Sequence, residues 1–209
     1  MNNTTAIFLF DRTGNIAKPW AEAGVTCYSV DVQHAKGERR EGNHVFVGAD
    51  VRHWLPPLGS KIVFFAAFPP CTHLAVSGAR WFRGKGLRRL AEAIDLFAVA
   101  ADMAEWSGAP YLIENPVSVI SSHWRKPDYT FSPWEYAGLL ADPEAENTTK
   151  KTCLWTGGGF VMPEKRPAPA PHRKDVWLMP PSADRADLRS ATPNGFARAV
   201  YIANRPKSQ

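Results

Sequence analysis

Five short apolar runs, at residues 6–10, 26–30, 44–47, 62–67 and 110–113, constrain this chain more than any other feature. Turn-rich or helical stretches separate them, and each run closes on residues able to do chemistry. Ala6-Ile7-Phe8-Leu9-Phe10 ends at Asp11, the second run at Asp31, and the third near Gly48-Ala49-Asp50. The fourth passes through Phe68-Pro69-Pro70 to Cys71, and the fifth ends in Glu114-Asn115-Pro116. Apolar runs this short, bounded by Gly, Pro, Asn and Asp, read as strands. Strands alternating with helices predict an α/β fold with a doubly wound, mostly parallel sheet. In such sheets ligands collect at the carboxyl ends of the strands. Asp11, Asp31, Asp50, Cys71 and Glu114 are therefore expected on one rim.

The stretches between the runs carry helical signals. After the turn Arg12-Thr13-Gly14-Asn15 a helix is expected to about Ala23, with Gly24 as its stop. From Leu87 onward, Leu90, Ala91, Ile94, Phe97, Ala98 and Ala101 fall on one face of a helix reaching about Trp106. Beyond Pro116 the pattern changes. Residues 127–151 are polar and turn-rich, 163–181 form a proline-rich strap or linker, and 194–204 read as a helix. The organisation expected is a main α/β domain over 1–160, a strap over 161–190, and a C-terminal segment over 191–209 whose helix packs back on the main domain.

At 209 residues and 44% apolar content, the chain can bury one substantial core. Its net charge of +5 permits a polyanionic partner. Cys27, Cys71 and Cys153 are odd in number, far apart and without a CxxC pair, so neither a disulfide framework nor a metal site is indicated. Reducing cytoplasm is the expected compartment. The stretch Met1-Asn2-Asn3-Thr4-Thr5 has no basic segment, and the apolar run after it is too short for a signal peptide or membrane span.

Two motifs carry the chemistry. A cysteine at the end of a buried strand, held by two prolines, suits a thiol nucleophile, although a packed core residue is the alternative for any single cysteine. Glu114, at the end of the next apolar run, suits an acid tuned by burial. Together, Pro70-Cys71 and Glu114-Asn115-Pro116 resemble the signature motifs of the cytosine C5 DNA methyltransferase family. Cys71-Thr72-His73-Leu74-Ala75-Val76-Ser77-Gly78-Ala79-Arg80-Trp81-Phe82 resembles its short, phage-type branch. So do Lys151-Thr152-Cys153-Leu154-Trp155, Pro180-Pro181-Ser182 with Arg185, and Thr192-Pro193-Asn194-Gly195-Phe196-Ala197. The likeness spans about residues 6 to 204.

The resemblance implies a Rossmann-like domain that uses S-adenosylmethionine and modifies cytosine through a covalent adduct. Cys71 would be the nucleophile at C6, Glu114 the group acting at N3, and Asn115 the residue fixing their loop. The cofactor would lie along the first three strands, against Phe10, Asp11, Gly14, Asp31, Asp50, Phe68 and Pro69. Here the chain departs from the family, because Phe10-Asp11-Arg12-Thr13-Gly14-Asn15 stands where a Phe-x-Gly-x-Gly-Gly loop is expected. Ser77, Arg80, Trp81, Arg83 and Lys85, with Arg88 and Arg89, would form a glycine-punctuated basic loop for phosphates and bases. Lys150 and Lys151 stand near the place of target-base contacts. His73 reads as a loop histidine, and Cys27 and Cys153 as core residues.

Between Trp155 and Thr192 there is no room for a separate target-recognition domain. Direct reading of a DNA groove needs a docked element with several base-edge contacts. The substrate expected is DNA of short or relaxed sequence preference, DNA targeted through a partner protein, or a free cytosine nucleotide. Transfer of another one-carbon group, and a non-catalytic DNA-binding role, are the alternative functions.

Overall fold

The structure, a computed structural model, describes residues 4–174 and 190–206. Its frame is an eight-stranded sheet: β1 (Thr4–Leu9), β2 (Thr26–Val30), β3 (Gly37–Glu41), β4 (His44–Gly48), β5 (Lys61–Ala67), β6 (Tyr111–Pro116), β7 (Tyr129–Phe131) and β8 (Thr152–Gly157). The order is β3-β4-β2-β1-β5-β6-β8-β7. All five expected runs are strands, and β4, β2, β1, β5 and β6 pair in parallel.

The sheet as a whole is mixed, which corrects the mostly parallel expectation. β3 pairs antiparallel with β4 at one edge, and β8 pairs antiparallel with both β6 and β7 at the other. β3, with sequence Gly-Glu-Arg-Arg-Glu, is exposed throughout and has no apolar residue, so periodicity could not reveal it. The tight return to β4, with Gly42 at φ 60°, and the Arg39 guanidinium over the Phe46 ring at 4.4 Å hold it as an edge.

The helices are α1 (Lys18–Glu22), α2 (Phe82–Lys85), α3 (Leu87–Ser107), α4 (Ile120–His123) and α5 (Asn194–Asn204). Successive strand residues point to opposite faces, and two cores follow from that alternation. On one face Ile7, Leu9, Val30, Phe65, Ala67 and Ile113 pack under α3 through Ala93, Phe97, Ala100 and Ala104. On the other, Ala6, Phe8, Phe64, Ala66 and Leu112 pack under Trp20 of α1 and Phe196, Ala199 and Val200 of α5. Trp20 stacks on Phe64 at 4.5 Å, and Phe196 stacks on Phe131 at 3.9 Å. The C-terminal helix thus packs against the main sheet.

Residues 163–173 lie as a strap against the turns at 133–149, held by backbone bonds. Arg166 donates to Glu135 O at 2.9 Å, Ala168 to Trp134 O at 2.8 Å, and Arg173 to Asn147 O at 2.9 Å. The rest of the expected strap, with Pro180-Pro181-Ser182 and Arg185, lies outside the described residues.

Glu146 joins this layer to α5. Its carboxylate accepts the backbone N–H groups of Asn194 at 2.6 Å and Gly195 at 2.9 Å, capping a helix whose own Pro193 offers no capping side chain. Glu146→Ala is expected to lower stability by about 1–2 kcal/mol. The reading is a lower urea midpoint at an unchanged denaturant slope.

Candidate active site

β1 is flanked by β2 and β5, so the chain reverses its direction of travel across the sheet beside β1. Leu9 is level with Val30 and Ala67, and Ala67 is level with Ile113. Phe10, Asp31, Phe68 and Glu114 are therefore each one residue beyond the same level; of the residues expected on one rim, the register sets Asp31 and Glu114 there.

Glu114 does not follow the fifth strand but belongs to it. β8 pairs with β6 residue by residue from Tyr111 to Pro116, so the ladder continues past the end of β5. Glu114 stands opposite Leu154 and shares a small pocket with Phe131, Lys150, Thr152, Thr192 and Phe196. Burial pushes its carboxyl up from the ordinary value, and the charge of Lys150 opposes that rise. Lys151 is exposed and does not line the pocket; its charge acts on Cys153 instead.

Cys71 is half-buried and sits in a turn in which its carbonyl accepts the N–H groups of Leu74 at 2.9 Å and Ala75 at 2.8 Å. This turn and the chain leaving Glu114 are stitched together. Asn115 Nδ2 donates to Pro69 O at 2.8 Å, Val119 N to Leu74 O at 3.0 Å, and Val76 N to Val117 O at 2.9 Å. Asn115 holds the loop that leads to Cys71 directly, and Pro69 is buried. The other two cysteines are buried in the core, and burial pushes both thiols up.

Among the described residues four buried side-chain polar atoms have no hydrogen-bond partner, and three of them cluster here: His73 Nδ1, Asn115 Oδ1 and Ser118 Oγ. Buried polar atoms are normally satisfied, so each of these exceptions calls for a partner or a role. Ser118 had no signal in the sequence; only the stitching of the two loops brings it in.

The first loop is built differently from the expected cofactor cradle. Asp11 is buried, and its carboxylate accepts Gly14 N–H at 2.9 Å and the Ser29 hydroxyl at 2.7 Å. Ser29 Oγ is also 2.7 Å from His44 Nε2. Burial pushes Asp11 up to about 6 and His44 down to about 4. Gly14, at φ 71°, leaves no space for a ligand on its Cβ side, since an added Cβ would stand 2.6 Å from His44 Cε1. Asp11 is thus engaged by Gly14 and Ser29, and Gly14 packs against His44 and Phe46.

Asp31 and Asp50 remain on the rim. Asp31 is buried, and one carboxylate oxygen accepts Gln33 N–H at 2.7 Å. Asp50 caps a short 3₁₀ turn, and its bonds to the Arg52 guanidinium hold its carboxyl down to about 2. Phe10 adopts φ 57° at the end of β1, and Phe68 is half-buried against the core. Of the residues expected to hold S-adenosylmethionine, Asp50 has both carboxylate oxygens on the Arg52 guanidinium and Asp31 has one on Gln33 N–H, and the Gly14 side adds no cradle.

The basic loop is two helical turns rather than an open loop. Ser77, Arg80 and Trp81 lie in a 3₁₀ turn (Val76–Trp81), and Arg83 and Lys85 in α2. Trp81 is 60% exposed beneath the Arg80 guanidinium, 5.0 Å from its ring. Lys85 Nζ donates to Thr72 O at 2.7 Å, tying this segment to the residue after Cys71. Phe82, interleaved with these cations in the sequence, lies beside Leu87 and Leu90, and Leu90 belongs to the apolar face expected of the long helix.

No family model and no curated protein matches this chain. Among the described residues no helix is long and apolar enough to cross a membrane, and no group of three or more His, Cys, Asp or Glu side chains could hold a metal ion.

Proposed function

We propose that the chain transfers a methyl group to C5 of cytosine, with Cys71 as nucleophile and Glu114 as the acid, on a Rossmann-like frame. The observation that carries this reading is the stitching of the Cys71 turn to the strand bearing Glu114 through Asn115. It ties the turn that carries the thiol to the strand that carries a carboxyl whose burial favours the protonated form.

Cytosine C5 is a poor nucleophile. Addition of the Cys71 thiolate at C6, with the Glu114 proton delivered to or shared with N3, turns C5 into an enamine carbon. S-adenosylmethionine, when bound, supplies the electrophilic methyl group. Loss of the C5 proton to a base restores the C5–C6 double bond and expels the Cys71 thiolate. Asp31 and Asp50 bind on the rim, and Lys150 lies where it balances the charge of Glu114. Arg80, Arg83 and Lys85 meet phosphates.

Transfer of another one-carbon group is the second reading, favoured by the Asp11 and Gly14 packing that replaces a glycine cradle. The test is incubation with S-adenosylmethionine labelled in its methyl group and, separately, duplex DNA, single-stranded DNA and dCMP. The products are digested and the labelled nucleoside identified. Label in a 5-methylcytosine nucleoside is the expected result; no label with any of the three overturns the proposal.

A further inference from the structure

A cavity of about 200 Å³ opens beside the Cys71 turn, between α2 and the start of α3, and neither Cys71 nor Glu114 lines it. It is lined by His73, Phe82, Leu87 and Leu90 together with Arg83 and Lys85. It is large enough for one aromatic ring system and smaller than most pockets that hold whole cofactors. Two cations, Arg83 and Lys85, line it. Arg80, Arg88 and Arg89 fall with them within ten residues; Arg89 pairs with Glu92 at 3.1 Å, and no acidic residue occurs between Cys71 and Glu92.

An apolar slot with a cationic rim matches a ligand made of a flat ring flanked by phosphates. A free phosphate has no use for the Phe82 and Leu90 walls, and an apolar peptide has no use for Arg83 and Lys85. The slot is also fixed to the nucleophile, since His73 is two residues from Cys71 and Lys85 bonds Thr72 O. His73 Nδ1 is buried without a partner, and the polar edge of an entering base is the kind of group that satisfies such an atom.

We propose that this slot takes the nucleobase next to the target cytosine, unstacked and seated against Phe82. The substrate is then a single-stranded or locally opened polynucleotide rather than a free nucleotide. This rests on the proposed function only in taking the target base to be cytosine at Cys71. Stacking on an aromatic ring is tolerant of base identity, which accords with a chain too short for a groove-reading domain.

The test is fluorescence anisotropy with labelled single strands of about twelve nucleotides. They carry one cytosine, either intact or with an abasic site immediately 5′ or 3′ to it. For the unaltered protein, one of the two abasic strands is expected to bind about five- to a hundredfold more weakly than the intact strand. Phe82→Ala is expected to lose a similar factor on the intact strand and nothing further on that abasic strand. Phe82→Trp keeps the discrimination, and it carries the test if Phe82→Ala does not fold. Equal binding of all three strands, independent losses from Phe82→Ala and the abasic site, or no binding of any strand overturns the slot. Cys71 trapping, run with S-adenosylmethionine on the same strands with 5-fluorocytosine in place of the cytosine, separates the two readings: neighbour-dependent binding without trapping sustains the slot and sinks the methyl-transfer chemistry.

Discussion

Cys71→Ser is expected to abolish covalent capture of DNA containing 5-fluorocytosine. Fluorine at C5 cannot leave as the proton does, so the adduct at C6 persists once the methyl group has been transferred and survives denaturing electrophoresis. A serine hydroxyl at the same place is scarcely ionised at neutral pH, whereas an ordinary thiol with a pKa of about 8.5 supplies a usable thiolate fraction. The other thiols are poor substitutes. Cys27 and Cys153 are buried in the two cores, and burial pushes both up, away from ionisation. The unaltered protein should give one shifted band whose adduct maps to Cys71 by peptide mass, and Cys71→Ser none. A band that persists in Cys71→Ser removes the nucleophile assignment.

Glu114→Gln is expected to lower turnover by about 10²–10⁴-fold, the range typical of a lost acid–base group, while raising stability at neutral pH. Both effects follow from the upward shift that burial imposes on this carboxyl. For catalysis the protonated form acts at N3, so turnover of the unaltered protein falls as pH rises through the raised value, and that limb is absent in Glu114→Gln. For stability the folded-state value lies above the unfolded 4.5. The group's contribution is present in full below the unfolded value and is lost as pH rises through the folded one. Above that window Glu114 ionises at a cost in the fold that glutamine does not bear. Urea midpoints measured at pH 8 and pH 4 should show the variant ahead only at pH 8. A variant that is fully active, or no more stable at pH 8 than at pH 4 relative to the unaltered protein, contradicts the role. A less active but more stable protein is the signature of a residue kept for function at a stability cost.

The parallel centre was legible because its strands are buried on both faces. Such strands read as continuous apolar runs, and residues 26–30 and 62–67 match β2 and β5 closely. The long helix was equally legible, since its apolar face recurs with helical spacing and Gly108, at φ 61°, ends it in the left-handed conformation glycine favours. The antiparallel edges were not. β3 has no buried residue and β7 has three residues, while β8, buried from Thr152 to Trp155, lies inside the sheet between β6 and β7. An edge strand is specified by backbone bonds to its neighbour, which leave little mark on side-chain pattern.

The site divides in the same way. The sequence by itself determined the chemistry on offer: a thiol after one buried strand, a carboxyl on the next, and a run of cations without an acid between Cys71 and Glu92. These are properties of residue type and of position along strands, and strand ends are written in local apolarity. Only the tertiary structure decided what each group faces. It turned Asp11 and Gly14 inward onto Ser29 and His44, because a buried carboxylate must find donors. It carried Glu114 into the ladder with β8, joined Asn115 to Pro69, and opened the slot at Phe82. Each of these depends on contact between segments far apart in the chain, which no local pattern can encode.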